Sequence, residues 1–101
     1  MPVLMIRYQV ADEGAEEVAD AVRATFAEVG ERRPDGIRYA CLRLAGGTEF
    51  VALLELDEGV ENPLPGMEAA RRLRAAVTRW AVEPGPVPRP VEVLGSYRVL
   101  G

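Results

Sequence analysis

The side chains in this sequence that could do chemistry lie on its predicted β-strands. Successive residues of a strand point to opposite faces of a sheet, so Arg7 and Gln9 lie on the opposite face from Ile6. We expect the face with Ile6 to pack under helices and the other face to be left open. This open face then mixes apolar side chains with six candidate ligand-binding residues: Arg7, Gln9, Tyr39, Arg43, Glu55 and Arg98.

The same alternation assigns the faces of the other strands. In the second strand we expect Ala40 and Leu42 to pack under the helices, which leaves Tyr39, Cys41 and Arg43 on the open face. The third strand divides into one set under the helices (Phe50, Ala52, Leu54) and one open set (Val51, Leu53, Glu55). In the last strand, Ser96 and Arg98 join the polar residues of the open face.

A guanidinium and a carboxylate in a partly dry cavity could orient an acidic or phenolic small molecule. In that hypothesis Tyr39 or Glu55 carries a proton, although no pattern in the sequence assigns a catalytic residue. The alternative is structural, because buried charges must be paired. In that case the ion pair, across strands or across a dimer, joins one of Arg7, Arg43 and Arg98 to Glu55 or Glu92.

Several catalytic chemistries are excluded by residues that the sequence lacks. Without histidine there is no Ser-His-Asp or Cys-His apparatus, no histidine-ligated haem and no histidine-containing zinc site. Without lysine there is no Schiff-base chemistry. Cys41 lies in a strand and is expected to be a buried hydrophobe. We therefore expect no metal site and no cofactor, and we expect Asn62 to cap a helix and Trp80 and Tyr97 to pack in the core.

The length and composition indicate one globular domain over residues 1–101. Hydrophobic residues make up 49% of the chain and charged residues 28%, a balance typical of a folded protein. The net charge of −4 does not favour nucleic acid as a partner. The sequence shows neither a signal peptide nor an apolar run long enough for a membrane span, so we expect a cytoplasmic protein, and its arginine-rich, lysine-free composition is typical of a GC-rich bacterial genome.

The element order predicts an α+β fold of the ferredoxin-like type, β-α-β-β-α-β, with a four-stranded antiparallel sheet and two helices on one face. Its centre is a hairpin of Ile37–Leu44 and Phe50–Leu56, joined by a turn at Gly46-Gly47. A strand over Val3–Val10 and a helix ending at Gly30 precede the hairpin. A second helix, beginning at Asn62-Pro63, follows it, and a stiff proline-rich linker (84–90) leads to a last strand over Val91–Leu100.

Four local strings resemble those of small bacterial proteins of the antibiotic-biosynthesis-monooxygenase-like group, the dimeric α+β barrel proteins. They are IRYQV in the first strand, GIRYACLRL in the second, NPL before the second helix and GSYR in the last strand. The resemblance implies a homodimer in which two sheets face each other. It also implies a pocket between sheet and helices, which in relatives holds a polycyclic aromatic substrate, a quinol or haem. Some relatives oxidise without metal or flavin, using pocket residues that include Asn, Trp, Tyr or His.

Two hypotheses of function follow. The first is a cofactor-independent monooxygenase or isomerase that acts on a small, flat hydrophobic or aromatic metabolite. The second is a non-catalytic ligand-binding or accessory dimer of the same fold. An open cavity with unpaired polar groups would favour the enzyme, and a packed interior would favour the accessory dimer. Both hypotheses predict a homodimer formed through the open sheet face, and the strand order predicts that Arg7 and Glu55 lie close together.

Overall fold

A computed structural model describes residues 3–83 and 85–98 of the chain. Four strands, β1 (Val3–Gln9), β2 (Ile37–Arg43), β3 (Glu49–Leu56) and β4 (Val87–Val91), form one antiparallel sheet in the order β2-β3-β1-β4. The helices are α1 (Ala15–Arg32) and α2 (Glu68–Trp80), and a short 3₁₀ turn precedes each of them. The predicted β-α-β-β-α-β fold is therefore confirmed.

The register of the sheet fixes which side chains face the helices. Phe50, Ala52 and Leu54 of β3 are buried beneath the helices, as predicted. In an antiparallel pair the residues directly opposite each other share a face. Cys41 lies opposite Ala52, and Tyr39 lies opposite Leu54. The predicted faces of β2 are therefore wrong: Tyr39, Cys41 and Arg43 face the helices, and Ala40 and Leu42 lie on the open face.

The core lies between α1, α2 and the helix-facing side of the sheet. Val10, Val18 and Phe50 are almost completely buried there. The rings of Tyr8 and Phe50 stack with their centroids 5.5 Å apart, and those of Phe26 and Tyr39 stack at 4.7 Å. The second stack joins α1 to β2, which explains why Tyr39 turns toward the helices: its ring replaces water contact with aromatic contact on Phe26.

Helix α2 begins later than predicted, and α1 helps to fix its start. The helix begins at Glu68, and the backbone N–H of Ala69 donates to Glu28 Oε1 at 3.0 Å. The expectation that Asn62 caps a helix is wrong, because the N-cap residue of α2 is Met67 and that of the preceding 3₁₀ turn (Leu64–Gly66) is Pro63. Asn62 Oδ1 instead accepts a local hydrogen bond from the Leu64 N–H at 3.0 Å. A side chain from another element therefore satisfies one of the N–H groups that the first turn of α2 leaves without an intrahelical partner.

The predicted proline linker and last strand are both displaced in the structure. Strand β4 comprises Val87–Val91, inside the segment predicted as linker, and it pairs with β1 at the sheet edge. Pro88 and Pro90 lie opposite Ile6 and Leu4. An edge strand accepts proline where the nitrogen faces away from its neighbour, and a spacing of two residues keeps both prolines on that side. Residues 92–98 contain no strand, while Pro84 and the final part of the predicted strand, 99–100, lie outside the described residues.

The segment after β4 is exposed. Leu94 is 90% exposed and Tyr97 is 80% exposed, so the expectation that Tyr97 packs in the core is wrong. Trp80, in contrast, packs against the core at the end of α2, as predicted. Within the described residues, neither helix is both long and apolar enough to span a membrane.

Candidate functional site

A cavity of about 300 Å³ lies between the helix-facing side of the sheet and α2. Its floor is formed by strand side chains, among them Ile6, Ala52 and Leu54, and one wall is formed by Leu73 and Val77 of α2. Pro86 and Pro88 contribute to the lining at the edge of the sheet, and Asn62 and Leu64 contribute from the segment before α2. A mostly apolar cleft of this size with a few polar groups is typical of a small-molecule site.

Two tyrosines and a cysteine bring polar atoms to this apolar floor. Tyr8, Tyr39 and Cys41 all line the cavity. Burial raises the pKa of Tyr39 to about 12, and it also raises the pKa of Tyr8 and of the Cys41 thiol. The three groups thus keep their protons at neutral pH, so they can donate hydrogen bonds and are poor bases.

Neither tyrosine hydroxyl has a hydrogen-bond partner among residues 3–83 and 85–98. Tyr8 is only 7% exposed as a residue, but its hydroxyl is not among the fully buried polar atoms that lack a partner; in the described chain that group contains the Nε1 of Trp80. Both tyrosines line the cavity, so a water molecule or a ligand oxygen there can supply a partner for their hydroxyls.

Asn62, Thr78 and two arginines complete the polar lining. Since Asn62 Oδ1 already accepts from the Leu64 N–H, its Nδ2 group is the donor left for a ligand. Arg71 and Arg74 lie on the cavity-lining side of α2 and remain exposed to solvent. In the described part of the chain, no aspartate or glutamate lines this cavity. The site therefore offers donors and positive charge, and this combination stabilises an oxygen that carries negative charge.

The structure separates the six residues that the sequence grouped as one site. Only Tyr39 lines the cavity under α2. Arg7 and Gln9 line a different, more polar cleft of about 370 Å³ on the open face, together with Glu49 and Arg89. The other three, Arg43, Glu55 and Arg98, line neither cleft.

Arg7 and Arg43 form ion pairs, but their partners are not Glu55 or Glu92, which the structural alternative predicted. Arg7 pairs with Glu49. Arg43 pairs with Glu16 of α1 and lowers the pKa of that carboxyl. The guanidinium of Arg98 lies beyond β4, with its Cζ 5.3 Å from the centre of the Tyr97 ring.

The predicted proximity of Arg7 and Glu55 is wrong. The strands β1 and β3 are indeed neighbours, but Val3 lies opposite Glu55 and Arg7 lies opposite Val51. The two residues are therefore four positions apart along the strands, about 13 Å at roughly 3.3 Å per residue. Glu55 instead faces Arg38, with Oε1 and Nη1 3.5 Å apart.

Three residues that line the cavity, Tyr8, Arg71 and Arg74, were not among the predicted site residues, although the sequence pattern indicates their positions. Tyr8 follows Leu4 and Ile6 in the alternation of β1, which places it under the helices. Arg74 lies four residues after Ala70, on the flank of the apolar stripe of α2, and Arg71 lies beside it. What the sequence could not show is that the helix stands far enough from the sheet to leave a cavity.

Within the described ranges, no group of three or more His, Cys, Asp or Glu side chains is arranged to hold a metal ion. The polar groups of the cavity are phenol, thiol, amide, guanidinium and the hydroxyl of Thr78. Protonated phenols and guanidinium groups are not metal ligands, so the lining suits an organic molecule better than a cation.

The architecture is that of the antibiotic biosynthesis monooxygenase proteins, so the fold that the sequence resemblance implied is confirmed. A candidate antibiotic biosynthesis monooxygenase from Nitrosomonas europaea superimposes with a TM-score of 0.72 at 20% identity, covering 94% of this chain and 100% of that one. Rv0793 from Mycobacterium tuberculosis gives 0.68 at 21% identity, covering 95% and 98%. A variant of SnoaB, a cofactor-independent oxygenase from Streptomyces nogalater, gives 0.64 at 15% identity, covering 96% of each chain.

Sequence comparison adds no closer relationship. No protein-family model matches the sequence. No curated protein matches it either. At 15% to 21% identity the structural likeness establishes the fold, and the function has to be argued from the cavity itself.

Proposed function

We propose that this protein binds a small, flat aromatic molecule with a phenolic or enolic oxygen in the cavity under α2, and that it oxidises this molecule without a cofactor. One observation carries the proposal: two protonated tyrosine hydroxyls, those of Tyr8 and Tyr39, line a mostly apolar cavity and have no hydrogen-bond partner in the described chain. An aromatic ring suits the apolar walls, and an oxygen on that ring suits the hydroxyls.

The chemistry of the lining favours the ionised form of such a substrate. Tyr8 and Tyr39 can donate hydrogen bonds to the substrate oxygen, and they do so more strongly when that oxygen is an anion. The arginines at the cavity mouth act in the same direction. An electron-rich phenolate or enolate is more easily oxidised than its neutral parent, so the site lowers the barrier to reaction with O₂.

A monooxygenation without a cofactor must take its electrons from the substrate. The balanced reaction for an activated ring methylene is CH₂ + O₂ → C=O + H₂O, in which one oxygen atom enters the product and the other leaves as water. The similarity of the fold to SnoaB, itself described as a cofactor-independent oxygenase, supports this reaction class. In this scheme the chain's residues bind the ring, orient its oxygen and stabilise its charge.

Binding is tested with 2-naphthol, a ring of suitable size with one phenolic oxygen. Tyr8→Phe and Tyr39→Phe should each weaken binding by about three- to tenfold, because a neutral hydrogen bond contributes about 0.5 to 1.5 kcal/mol. The matched control is Tyr97→Phe, since Tyr97 is 80% exposed and does not line the cavity. Equal affinity in all four proteins would refute the role of the two hydroxyls.

A second candidate function is binding without turnover. It is favoured by one feature: among the described residues that line the cavity there is no carboxylate to take a proton from the substrate. Oxygen uptake distinguishes the two, using a phenolic tricycle with an acidic ring methylene. The oxygenase consumes one O₂ per product and places one ¹⁸O atom from ¹⁸O₂ in the new carbonyl, whereas a binding protein stabilises thermally with the compound and consumes no oxygen above the buffer rate.

We also propose that the open face of the sheet pairs with a second copy of the chain. That face presents apolar residues of all four strands, including Met5, Leu42, Leu53 and Val87, and no helix of the described chain covers it. Leu42 is 39% exposed and Val87 is 55% exposed. Burying such a patch against itself removes apolar surface from water with one self-complementary interface.

Light scattering coupled to size exclusion at micromolar concentration tests the dimer. The wild-type chain should elute at twice 11.0 kDa, and Leu53→Arg should shift it toward the monomer. A variant at the exposed Leu94, Leu94→Arg, lies outside the sheet and controls for the added charge. A wild-type monomer, or a dimer unaffected by Leu53→Arg, would contradict the proposal.

A further inference from the structure

Helix α2 carries four arginines, and three of them have partners within the described chain. Arg72 pairs with Glu68 at 3.0 Å, and Arg71 Nη1 donates to the Pro65 carbonyl at 3.3 Å. The guanidinium of Arg79 lies over the Trp80 ring, 4.9 Å from its centre. Arg74 forms no ion pair with any carboxylate of residues 3–83 and 85–98.

Arg74 differs from the other unpaired surface charges because it lines the cavity. It lies one helical turn before Thr78 and one turn after Ala70, and all three line the cavity on the same side of α2. Arg71, three residues earlier, lies on that side as well. No carboxylate of the described lining offsets these two charges, so the mouth of a mostly apolar cleft is positively charged.

We propose that Arg74, assisted by Arg71, makes this cavity selective for aromatic molecules that carry a carboxylate in addition to their phenolic oxygen. The inference rests on the proposed function and specifies its substrate class. The phenolic oxygen lies toward Tyr8 and Tyr39 on the sheet, and the carboxylate lies toward the cavity mouth at Arg74. A guanidinium suits this role because its planar set of N–H donors matches the two oxygens of a carboxylate.

A pair of matched probes tests the selectivity. The first is 6-hydroxy-2-naphthoate, which has a phenol and an ionised carboxylate at opposite ends of a flat ring system. The second is 6-hydroxy-2-naphthamide, which has nearly the same shape and no charge. Dissociation constants for both are measured by isothermal titration calorimetry on the wild-type chain and on two variants, Arg74→Gln and Arg72→Gln.

The two variants distinguish the effect of the charge at the cavity on binding from the effect of the net charge of the protein. Both substitutions remove one positive charge from an exposed position of α2, so neither should disturb folding. Arg72 is the matched control because it pairs with Glu68 and does not line the cavity. Wild type should bind the naphthoate about tenfold more tightly than the amide, equivalent to about 1.4 kcal/mol. Arg74→Gln should remove most of that preference and Arg72→Gln should keep it.

The remaining outcomes overturn the inference, and they distinguish it from the proposed function. Equal affinities for the two probes in wild type, or a preference that survives Arg74→Gln, would show that Arg74 does not select the ligand. If both probes bind equally and Tyr8→Phe weakens both, the selectivity inference falls and the proposed function stands. If neither probe binds, the selectivity inference and the proposed function are both refuted. A true preference should also shrink as salt is raised, because the charge at the mouth is exposed to solvent.

Discussion

Gly14 packs against Trp80 at the C-terminal end of α2, and substituting it tests this packing directly. The residue is buried in the 3₁₀ turn before α1, directly beneath the ring of Trp80. A Cβ atom at this position would lie 2.1 Å from Trp80 Cγ and 2.2 Å from its Cδ2. Such distances are far inside van der Waals contact, so in Gly14→Ala the indole ring or the turn must move.

The magnitude follows from two opposing effects. Forcing one extra methyl group into a packed core costs typically about 1 to 3 kcal/mol, and the closeness of this clash points to the upper end. Gly14 has φ −98° and ψ −6°, a conformation that alanine also adopts. Because alanine loses less backbone entropy on folding than glycine does, this effect alone would stabilise the variant by up to about 1 kcal/mol. The expected net loss is about 2 kcal/mol, which for a domain of this size lowers Tm by roughly 8 to 16 °C.

Urea denaturation followed by circular dichroism measures this loss, with the fluorescence of Trp80 as an independent probe. The matched control is Gly30→Ala in α1, where an added Cβ meets no atom within 4 Å. That variant should gain about 0.5 to 1 kcal/mol, because alanine favours the helix over glycine. The two substitutions are chemically identical and are expected to have opposite signs. A stable Gly14→Ala protein with unchanged Trp80 emission would refute the described packing.

Three further predictions concern individual side chains. Glu28→Ala should lower the free energy of unfolding by about 1 to 2 kcal/mol in urea titrations, because the Ala69 N–H loses its charged acceptor, and no loss would contradict this capping contact. The pKa of Tyr39 is raised to about 12, so the stability that its protonated form contributes is complete below pH 10 and is lost as the pH rises from 10 to 12. Tyr39→Phe should therefore make the urea midpoint fall less steeply with pH in this range. An unchanged slope would refute this assignment. Burial also raises the pKa of the Cys41 thiol, so iodoacetamide at pH 8 should label the native protein many times more slowly than the urea-unfolded protein, and equal rates would contradict this.

Much of the fold could be predicted from the sequence because local signals and hydrophobic pattern agree there. The hairpin combines strand-forming residues with a tight turn, and the turn does contain a residue with positive φ, Gly47. The prediction of which face of β2 packs under the helices is wrong because both faces of that strand are partly apolar, and alternation alone does not choose between them. A shift of one residue exchanges the faces, and the pairing of β2 with β3, for example Cys41 opposite Ala52, is needed to fix the register.

The predicted last strand lies too far along the chain because the alternating prolines of 84–90 favour an extended, polyproline-like linker. Pro88 and Pro90 are compatible with β4 since that strand has a neighbour on one side alone. This condition depends on the position of the strand in the sheet, which sequence pattern does not show. Arg7 and Glu55 illustrate the same point. The sequence correctly predicts that β1 and β3 are neighbours, but it does not predict which residues of the two strands lie opposite each other.

Of the six residues predicted as a site from the open face of the sheet, Tyr39 alone lines the cavity under α2. Tyr39 was chosen for its polar group, and the structure does place it in the cavity, but on the side of the helices. Arg7 and Arg43 proved to be members of ion pairs. Their partners, Glu49 and Glu16, are far away in sequence, so the sequence pattern could not identify these pairs. Arg74 lines the cavity because of where α2 lies over the sheet, which the sequence pattern does not show either.

The position of a bound aromatic phenol tests the central claim most directly. A crystal structure with 6-bromo-2-naphthol would locate the ring through the anomalous scattering of bromine. We predict that the ring lies between the sheet and α2, with its oxygen within hydrogen-bond distance of the Tyr8 or Tyr39 hydroxyl. A ring bound instead in the cleft of the open face beside Arg7 and Arg89, with the cavity under α2 holding none, would contradict the account.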